Sequence, residues 1–277
     1  MNIKEIVKRA LLYILKGVPT YNTTAQINYL SPSAKLKGKR ILVTGGGRGL
    51  GFAMAKKFVE EGAEVLIAGR NEQTLKQSAE KLNCKYEVLD IQDVRSHTKF
   101  LEIVEDKLGG LDLLVNNAGV SLHESSYATV TPDSFDVQIN TNLKGPFFLT
   151  QQFVNLMKRK GQPTSVLFIS SETGETVDER PYGWTKAATN SMVKGLAYKL
   201  AGENIRVNAI APGVTASEMT GFTEDGNLYA SSSPIGRVYL PQEVAELACF
   251  LLSDVSGSIS GQIIICNNGK TLNARWK

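Results

Sequence analysis

Cysteine, histidine and long apolar runs are scarce in this sequence of 277 residues. The three cysteines, Cys84, Cys249 and Cys266, lie far apart and form no CxxC pair, which excludes a disulfide framework and is typical of buried thiols in a reducing compartment. The two histidines, His97 and His123, lack metal-ligand spacing, so no metal site is expected. No apolar run approaches the ~18 residues of a membrane span. We therefore expect a cytoplasmic protein.

Charge is unevenly distributed along the chain, although the net charge is only +4. Residues 1–40 hold eight basic residues and one acidic residue, a net charge of +7, whereas the remainder holds 23 basic and 26 acidic residues, a net charge of −3. An acidic body is a poor platform for nucleic acid, and no nucleic-acid partner is expected. Hydrophobic residues at 42% and charged residues at 21% match an ordinary globular chain and exclude a disordered or collagen-like one.

Residues 3–16 are predicted to form an amphipathic helix. Apolar residues recur at the i, i+3, i+4, i+7 spacing of one helical face: Ile3, Ile6, Val7, Ala10, Leu11, Ile14 and Leu15. Gly17 and Pro19 are expected to end this helix, and residues 20–38 are expected to form a loosely packed arm.

Two interpretations of this helix remain open. It could dock on a membrane surface or on a partner, or it could pack on the same protein or its oligomer. We favour the second, because most amphipathic helices face their own core. The chain is accordingly divided into an N-terminal helix and arm, residues 1–36, and one domain, residues 37–277.

From Lys37 onward, short apolar segments alternate with helical patterns. Strands are predicted over residues 41–43, 65–68, 86–89, 113–115, 166–169, 207–210 and 263–265. Helices are predicted between them, for example over residues 50–61, 72–82, 97–108 and 182–201. Buried strands separated by helices indicate βαβ units and a parallel sheet with right-handed crossovers. The sequence therefore predicts an α/β fold with a doubly wound sheet.

A glycine-rich turn follows the first predicted strand and leads into a helix. It reads Thr44-Gly45-Gly46-Gly47-Arg48-Gly49-Leu50-Gly51. Glycine allows a tight turn and the close approach of a pyrophosphate, and the free N–H groups at a helix start attract negative charge. The spacing Gly-x-x-x-Gly-x-Gly differs from the Gly-x-Gly-x-x-Gly dinucleotide fingerprint, and a tight turn without a ligand is the alternative. Its position after the first strand favours a nucleotide site.

The second predicted strand ends at Ala68-Gly69-Arg70, about 20 residues past the glycine turn, where the ribose of a dinucleotide is bound. A carboxylate there would favour NAD, but the sequence has Arg70, whose guanidinium can pair with a 2′-phosphate. Arg48 can add positive charge from the turn. Two solvated surface arginines are the alternative. We expect NADP(H) to be favoured over NAD(H).

Tyr182 and Lys186 lie four positions apart at the start of a long predicted helix. Positions i and i+4 share one helix face, so both side chains can point into one cleft. A nearby ammonium favours the phenolate, and we expect Lys186 to lower the pKa of Tyr182 from ~10. Tyr182 would then exchange a proton with a substrate near neutral pH. A YxxxK pattern is common by itself, so this interpretation depends on the other motifs.

The motifs, taken together and in order, resemble the short-chain dehydrogenase/reductase family, in the subfamily with a TGxxxGxG glycine motif. The resemblance covers about residues 37–270. It depends on residues 44–51, Asp90-Ile91, Asn116-Asn117-Ala118-Gly119, Asn142, Ile169-Ser170-Ser171, residues 182–186, Val207-Asn208-Ala209, Pro212-Gly213, Pro234-Ile235-Gly236-Arg237 and Ser260-Gly261-Gln262. It implies a single Rossmann-type domain of about seven parallel strands with helices on both faces.

The resemblance also implies roles for single residues. Tyr182 would be the general acid/base, Lys186 its electrostatic partner, Ser171 a hydrogen-bonding partner of the substrate oxygen, and Asn142 the holder of a water that links Lys186 to solvent. Asn116 would line the adenosine side beside Ala118 and Gly119. The implied cofactor-binding residues are Gly45, Gly47, Arg48, Gly49, Leu50, Gly51, Arg70, Asp90, Ile91, Asn117, Ala118, Gly119, Tyr182, Lys186, Pro212, Gly213, Thr215 and Ser217.

The sequence departs from the family pattern in two places. The family usually has its catalytic serine thirteen positions before the tyrosine, whereas Ser171 lies eleven and Ser170 twelve positions before Tyr182. Alignment of Ile169-Ser170-Ser171 with the family motif favours Ser171 as the catalytic serine. The usual Asp-Gly-Gly near the C-terminus is replaced by Asn267-Asn268-Gly269, which we expect to affect packing or subunit contacts more than chemistry.

The leading interpretation is an NADP(H)-dependent oxidoreductase that transfers a hydride between nicotinamide and a carbonyl compound or a secondary alcohol. A non-catalytic NADP(H)-binding scaffold or sensor is the alternative, and NADPH binding without turnover would support it. An epimerase or dehydratase acting on a nucleotide sugar is disfavoured by the glycine spacing. The resemblance further implies a homodimer or homotetramer, with Trp184 at a subunit face.

The substrate pocket is expected between residues 120–130 and 216–240. Phe222, Leu228 and Tyr229 could cover an apolar ligand or pack on the body, and the glycines of this segment would let it move. His123 and Glu124 could meet a polar group, although we favour surface exposure. Nothing in the sequence selects among ketoacyl, sugar, steroid and small-ketone substrates.

Overall fold

The computed structural model describes residues 3–16, 21–24 and 34–272. Its strands are β1 (Arg40–Thr44), β2 (Glu64–Gly69), β3 (Lys85–Val88), β4 (Leu113–Asn116), β5 (Thr164–Ile169), β6 (Ile205–Pro212) and β7 (Ile263–Cys266). Its α-helices are α1 (Ile3–Lys16), α2 (Gly49–Glu60), α3 (Glu72–Leu82), α4 (His97–Leu108), α5 (Pro132–Ile139), α6 (Gly145–Lys160), α7 (Pro181–Leu200) and α8 (Pro241–Leu252).

The seven strands form one parallel sheet in the order β3-β2-β1-β4-β5-β6-β7. The strand order reverses between β1 and β4, and in such sheets a crevice forms there at the carboxyl ends of the strands. The predicted doubly wound α/β fold is confirmed. Six predicted strands lie within observed ones, and the third, residues 86–89, ends one residue later than β3. The four predicted helices match α2, α3, α4 and α7 to within one residue at each end.

Each face of the sheet buries its own apolar layer. Successive side chains of a strand point to opposite faces, so Ile41 and Val43 pack with α2, α3 and α8, whereas Leu42 packs with α4, α6 and α7. Phe58 of α2 and Phe153 of α6 are fully buried in these two layers. Burial on both faces explains why the strands read as short, continuous apolar runs.

The three cysteines lie singly in or beside the core. Cys249 is buried and Cys84 and Cys266 are half-buried, and none forms a disulfide within the described residues. Burial raises the pKa of each thiol to about 11. The thiols are therefore protonated at neutral pH and are poor nucleophiles.

Helix α1 exposes its apolar stripe. The stripe side chains that the structure describes are 46–81% exposed: Ile3, Ile6, Val7, Leu11, Ile14 and Leu15. The favoured expectation that this stripe packs on the same chain is therefore wrong for the described residues, because one face of the sheet is already covered by α2, α3 and α8 and the other by α4, α6 and α7. Packing in an oligomer stays a prediction. The expected helix end at Gly17 and Pro19 lies outside the described residues. Among the helices that the structure describes, none is long and apolar enough to cross a membrane.

Residues 21–24 of the arm are held on the 216–240 segment. The backbone N–H of Thr23 donates to Asn227 Oδ1 at 3.2 Å, and Leu228 N–H donates to the Thr23 carbonyl at 3.2 Å. Asn227 Nδ2 donates to the Tyr21 carbonyl at 3.0 Å. The rings of Tyr21 and Tyr229 stack with their centroids 5.1 Å apart. The arm therefore meets the body at the segment that we expect to cover the substrate.

Candidate active site

A cleft of about 820 Å³ opens at the carboxyl ends of the strands, beside the point where the strand order reverses. Cofactors and substrates of doubly wound sheets bind in this crevice, and the volume is typical of such pockets. It is lined by the following predicted site residues: Gly45, Gly47, Arg48, Gly49, Leu50, Gly51, Arg70, Asp90, Ile91, Asn117, Ala118, Gly119, Ser171, Tyr182, Lys186, Pro212, Gly213, Thr215 and Ser217. Asn116 and Asn142 are the predicted residues that lie behind its wall.

The glycine turn is held tightly against the ends of β1 and β4. Gly45 has a φ of +65°, which favours glycine, and its N–H donates to the Ala68 carbonyl at 2.7 Å. A Cβ on Gly51 would lie 2.2 Å from the Gly45 carbonyl oxygen and 2.5 Å from Asn117 Nδ2. Only a glycine at position 51 lets helix α2 start this close to the turn.

Thr44 and Asn117 join the glycine turn to β4. Thr44 Oγ1 donates to the Val115 carbonyl at 3.2 Å and accepts the N–H groups of Asn117 and Ala118, each at 3.1 Å. Asn117 Nδ2 donates to the carbonyls of Thr44 and Gly45 at 3.0 and 3.1 Å. The side chain of Asn117 therefore fixes the turn, and both Asn117 and Ala118 line the cleft.

Asn116 is placed differently from the expectation. It is buried, its Nδ2 donates to Thr150 Oγ1 at 2.8 Å, and it does not line the cleft. The expectation that Asn116 lines the adenosine side is wrong, because successive residues of a strand end point to opposite faces of the sheet. The neighbouring Asn117 contacts the turn instead.

The start of α2 fits the diphosphate of a dinucleotide. Arg48 at the N-cap makes no side-chain capping bond within the described part of the chain, and the first turn of α2 has no acidic residue. The first N–H groups of a helix need partners from outside the helix, and the helix dipole favours an anion there. The turn between β1 and α2 is thus electrostatically suited to phosphate oxygens.

The two arginines near this end differ in their partners. Arg48 forms an ion pair with Glu218, and both side chains are 72% exposed. Sequence reasoning missed Glu218, since it lies 170 positions away in the chain. Arg70 is exposed at the end of β2, lines the cleft, and forms no ion pair within residues 34–272. Of the two guanidinium groups, Arg70 is therefore the one available to an anion.

Ser170 and Ser171 have different hydrogen-bond partners. Ser170 is buried and its hydroxyl donates to Asn190 Oδ1 at 2.6 Å. Ser171 begins a short 3-10 turn, Glu172–Glu175, where its hydroxyl accepts the Thr173 N–H at 3.2 Å. Ser171 and Tyr182 both line the cleft, and the Ser171 hydroxyl acts on the pKa of the Tyr182 phenol. Ser171 is therefore the serine that meets Tyr182 in the cleft.

Lys186 lies one turn beyond Tyr182 on α7 and is only 6% exposed. Its ammonium donates to the Ile169 carbonyl at 2.9 Å and lies 5.5 Å from the centroid of the Tyr182 ring. Burial lowers the pKa of Lys186 to about 8. The i, i+4 spacing thus brings both groups to one end of the cleft, as expected for neighbours on one helix face.

The pKa of Tyr182 shifts in the opposite direction from the expectation. Burial raises the pKa of the phenol, and the neighbouring Ser171 hydroxyl offsets this only in part. Desolvation of the phenol outweighs the attraction of the Lys186 ammonium, so the expected net lowering of the pKa of Tyr182 is wrong. A raised pKa keeps Tyr182 protonated at neutral pH.

Asn142 lies in a π-helical turn, Asn140–Lys144, between α5 and α6. It is buried, and its amide forms two 2.8 Å hydrogen bonds with the backbone of Val120 and a 3.3 Å bond to Thr185 Oγ1. A Cβ on Gly119 would lie 3.4 Å from Asn142 Oδ1 and 3.7 Å from Lys186 Nζ. Gly119 therefore lies close to both Asn142 and Lys186. The water that the family resemblance implies between these two side chains stays a prediction.

Residues 217–220 of the 216–240 segment form the outer wall of the cleft. Leu228 is buried with Ala216, Val238 and Leu240, and Phe222 packs against this cluster. These residues therefore pack within the segment, while Tyr229 stacks on Tyr21.

The 120–130 loop meets the 216–240 segment at His123. His123 is exposed, as expected, and its Nε2 lies 2.9 Å from the Met219 carbonyl oxygen. Glu124 is half-buried and accepts a hydrogen bond from Gln138. Both side chains lie along the cleft.

The two departures from the family pattern contact each other. Glu172, in the short loop after Ser171, is buried. Its carboxylate accepts hydrogen bonds from Asn267 Nδ2 at 3.1 Å and from Lys270 Nζ at 2.6 Å. Asn267 and Lys270 belong to the C-terminal turn that replaces the usual Asp-Gly-Gly. The changed loop and the changed C-terminus thus form one polar cluster beside the serine, which sequence reasoning treated as two separate features.

Comparison with known proteins is consistent with this site. A family model described as enoyl-(acyl carrier protein) reductase matches residues 45–271. The chain is 32% identical over 242 residues to a 3α-hydroxysteroid dehydrogenase of Mediterraneibacter gnavus, covering 83% of this chain and 95% of that protein. It is 38% identical over 247 residues to a 3-oxoacyl-[acyl-carrier-protein] reductase of Thermotoga maritima, covering 85% of this chain and 98% of the relative.

Solved structures share the architecture as well. A crystal structure of 3-ketoacyl-(acyl-carrier-protein) reductase from Brucella melitensis complexed with NADH superposes with a TM-score of 0.79 at 29% identity, covering 86% of this chain and all of that chain. According to their names, one of these similar proteins acts on a 3α-hydroxysteroid and the others act on 3-oxoacyl or 3-ketoacyl groups of acyl carrier protein.

Proposed function

This chain belongs to the short-chain dehydrogenase/reductase family, and we propose that it transfers a hydride between NADP(H) and a carbonyl compound or secondary alcohol, with Tyr182 as the general acid/base. Its enzyme class is that of an NAD(P)-dependent oxidoreductase acting on CH–OH or carbonyl groups. The observation that carries the proposal is the meeting of Ser171, Tyr182 and Lys186 at one end of the cleft.

The proposed chemistry divides between the cofactor and the chain. The nicotinamide, when bound, supplies or accepts the hydride. In the reduction direction, the Ser171 hydroxyl donates a hydrogen bond to the substrate oxygen, and Tyr182 gives its proton to that oxygen as negative charge develops there. The ammonium of Lys186, 5.5 Å from the ring, stabilises the phenolate that remains. The raised pKa of Tyr182 suits the proton-donor role.

Replacement of Tyr182 by Phe tests this mechanism. The variant removes one hydroxyl and should lower kcat by about 10²–10⁴-fold, the usual contribution of general acid/base catalysis. Binding of NADPH, measured by fluorescence titration, should change less than the turnover. The matched control is Tyr198→Phe, which alters an exposed tyrosine of the same helix and should leave kcat unchanged.

The substrate panel should include ketoacyl thioesters, steroid ketones and small ketones. Near-normal turnover of Tyr182→Phe on every substrate that the wild type accepts would contradict the proposal. Tight NADPH binding by the wild type without turnover of any panel member would instead favour a non-catalytic sensor or scaffold.

The preference for NADP(H) depends on Arg70. Its exposed guanidinium borders the cleft at the end of β2, where the 2′-phosphate of NADP(H) is expected, and a guanidinium pairs well with phosphate. Arg70→Gln should weaken NADPH binding at least about tenfold, the lower end expected for a charge-assisted hydrogen bond, and leave NADH binding within twofold. The control is Arg159→Gln, an exposed arginine at the end of α6. Equal losses for NADPH and NADH would contradict the preference.

We also propose that the enzyme is a homodimer or homotetramer. Exposed aromatic side chains lie on two helices of one sheet face, Phe147 on α6 and Trp184 on α7. Exposed aromatic residues are enriched at protein interfaces. This supports a subunit face on α6 and α7, in agreement with the family resemblance.

A further inference from the structure

The apolar stripe of α1 needs a cover that the described residues do not provide. Six stripe side chains are 46–81% exposed, among them Ile3, Leu11 and Ile14. We propose that residues 3–16 bind to the surface of a membrane that contains anionic phospholipids. The proposal concerns binding alone and does not depend on the proposed hydride transfer.

The charge of the helix fits an anionic surface. Residues 3–16 include four basic residues and one acidic residue, a net charge of +3, and residues 1–40 carry +7. The rest of the chain carries −3 and is not attracted to such a surface. A helix with an apolar face and a lysine-rich face lies in the membrane interface, where acyl chains cover one face and phosphates contact the other. An anionic membrane surface would thus contact both the apolar face and the basic face of α1.

The length of α1 requires a surface orientation. Fourteen residues at 1.5 Å per residue span about 21 Å, which is less than the roughly 30 Å hydrocarbon core of a bilayer. The helix is therefore expected to lie along the interface, with its apolar stripe towards the acyl chains and Lys4 and Lys8 near the headgroups.

The arm sets where the bound helix lies relative to the cleft. Tyr21 stacks on Tyr229 and Thr23 bonds to Asn227, so the arm is fixed to the 216–240 segment. Four residues lie between Lys16 and Tyr21, and the five steps from one Cα atom to the next span at most about 18 Å in a fully extended chain. A membrane bound by α1 therefore lies beside the outer wall of the cleft.

Vesicle co-sedimentation of the full-length protein tests the proposal. The probes are phosphatidylcholine vesicles with and without about 30% phosphatidylglycerol, at low ionic strength, because the attraction is screened by salt. We expect at least tenfold tighter binding to the anionic vesicles. Leu11→Glu should reduce this binding at least tenfold, since it places a charge in the stripe. The matched control, Val255→Glu, changes a 74% exposed apolar residue of the body and should bind like the wild type.

A second variant separates the electrostatic contribution from the apolar one. One lysine near an anionic surface contributes about a fivefold factor in affinity, so Lys4→Gln combined with Lys8→Gln should weaken binding about 30-fold. The proposal is overturned if the wild type binds equally to both vesicle types, or if it binds to neither. If the wild type does not bind vesicles and Leu11→Glu changes the oligomeric state, the stripe contacts a second copy of the chain. That result would also overturn the membrane proposal.

Discussion

The two walls of the cleft are constructed in different ways. The strand-end wall, residues 44–51 and 116–119, is joined by hydrogen bonds from Thr44 and Asn117 to two neighbouring strands, and it rests on the two apolar layers of the sheet. The 216–240 segment has its own cluster of four buried residues, Ala216, Leu228, Val238 and Leu240. Much of the rest of the segment is half-buried or exposed.

This difference separates two requirements of the proposed enzyme. Groups that hold a cofactor and move a proton need fixed positions, which rigid strand ends and helices supply. A wall that selects and admits substrates has to move and to vary, which loops on the surface allow. The similar proteins named above differ in substrate, and the one compared as a solved structure shares the architecture of this chain, which agrees with a fixed wall and a variable one.

The largest expected effect is on the strand-end wall. Gly51→Ala would place a methyl group 2.2 Å from the Gly45 carbonyl oxygen, so α2 must move away from the turn. We expect the free energy of unfolding to fall by more than about 3 kcal/mol, the upper part of the range for overpacking. Urea denaturation of the protein without cofactor measures this change.

The matched control for that change is Gly47→Ala in the same turn. The nearest atoms to a Cβ on Gly47 are 3.4 Å away, on Leu75 and Thr74, and the free energy of unfolding should change by less than about 0.5 kcal/mol. Equal urea midpoints for the two variants would show that the strand-end wall is not held as tightly as its geometry indicates.

The buried Lys186 should make the free energy of unfolding depend on pH. Burial lowers the pKa of Lys186 to about 8, from 10.5. Between these values the unfolded chain holds a proton that the folded protein has lost, so stability should rise with pH from 8 to 10.5 by about 3 kcal/mol and stay level below pH 8. Lys186→Met should abolish this rise.

Urea denaturation at pH 8 and at about pH 10 checks this expectation. Lys194→Met, which changes an exposed lysine of the same helix, serves as the control and should keep the rise. An identical pH dependence for wild type and Lys186→Met would mean that the ammonium is not desolvated in solution.

The smallest effect on global stability is expected from the 216–240 segment. Leu228→Ala removes the side chain from a small separate cluster, so local opening should increase while the free energy of global unfolding changes by less than about 1 kcal/mol. Limited proteolysis within residues 216–240 should accelerate at least about tenfold, since truncation of a buried Leu costs about 2–5 kcal/mol locally.

The comparison variant is Leu114→Ala in β4, which should lower the free energy of global unfolding by about 2–5 kcal/mol. A global loss for Leu228→Ala as large as that for Leu114→Ala would show that both walls unfold as one unit.

Much of the fold and part of the candidate site could be predicted from local sequence. The strands were visible because burial on both faces requires continuous apolar runs, and the Tyr182–Lys186 pair because a helix brings i and i+4 together. The ion pair of Arg48 with Glu218, and the contacts of Glu172 with Asn267 and Lys270, join residues far apart in the chain. No periodicity signals contacts of this kind.

The sequence by itself determined the parallel doubly wound sheet, the glycine turn at the end of β1 and the residue types that meet in the cleft, because these follow from local periodicity and from the steric freedom of glycine. Only the tertiary structure decided that Ser171 and not Ser170 lies beside Tyr182, that burial raises the pKa of the phenol, and that the stripe of α1 finds no cover among the residues that the structure describes. Desolvation and burial depend on what the rest of the chain places around a group, and a linear pattern does not contain that information.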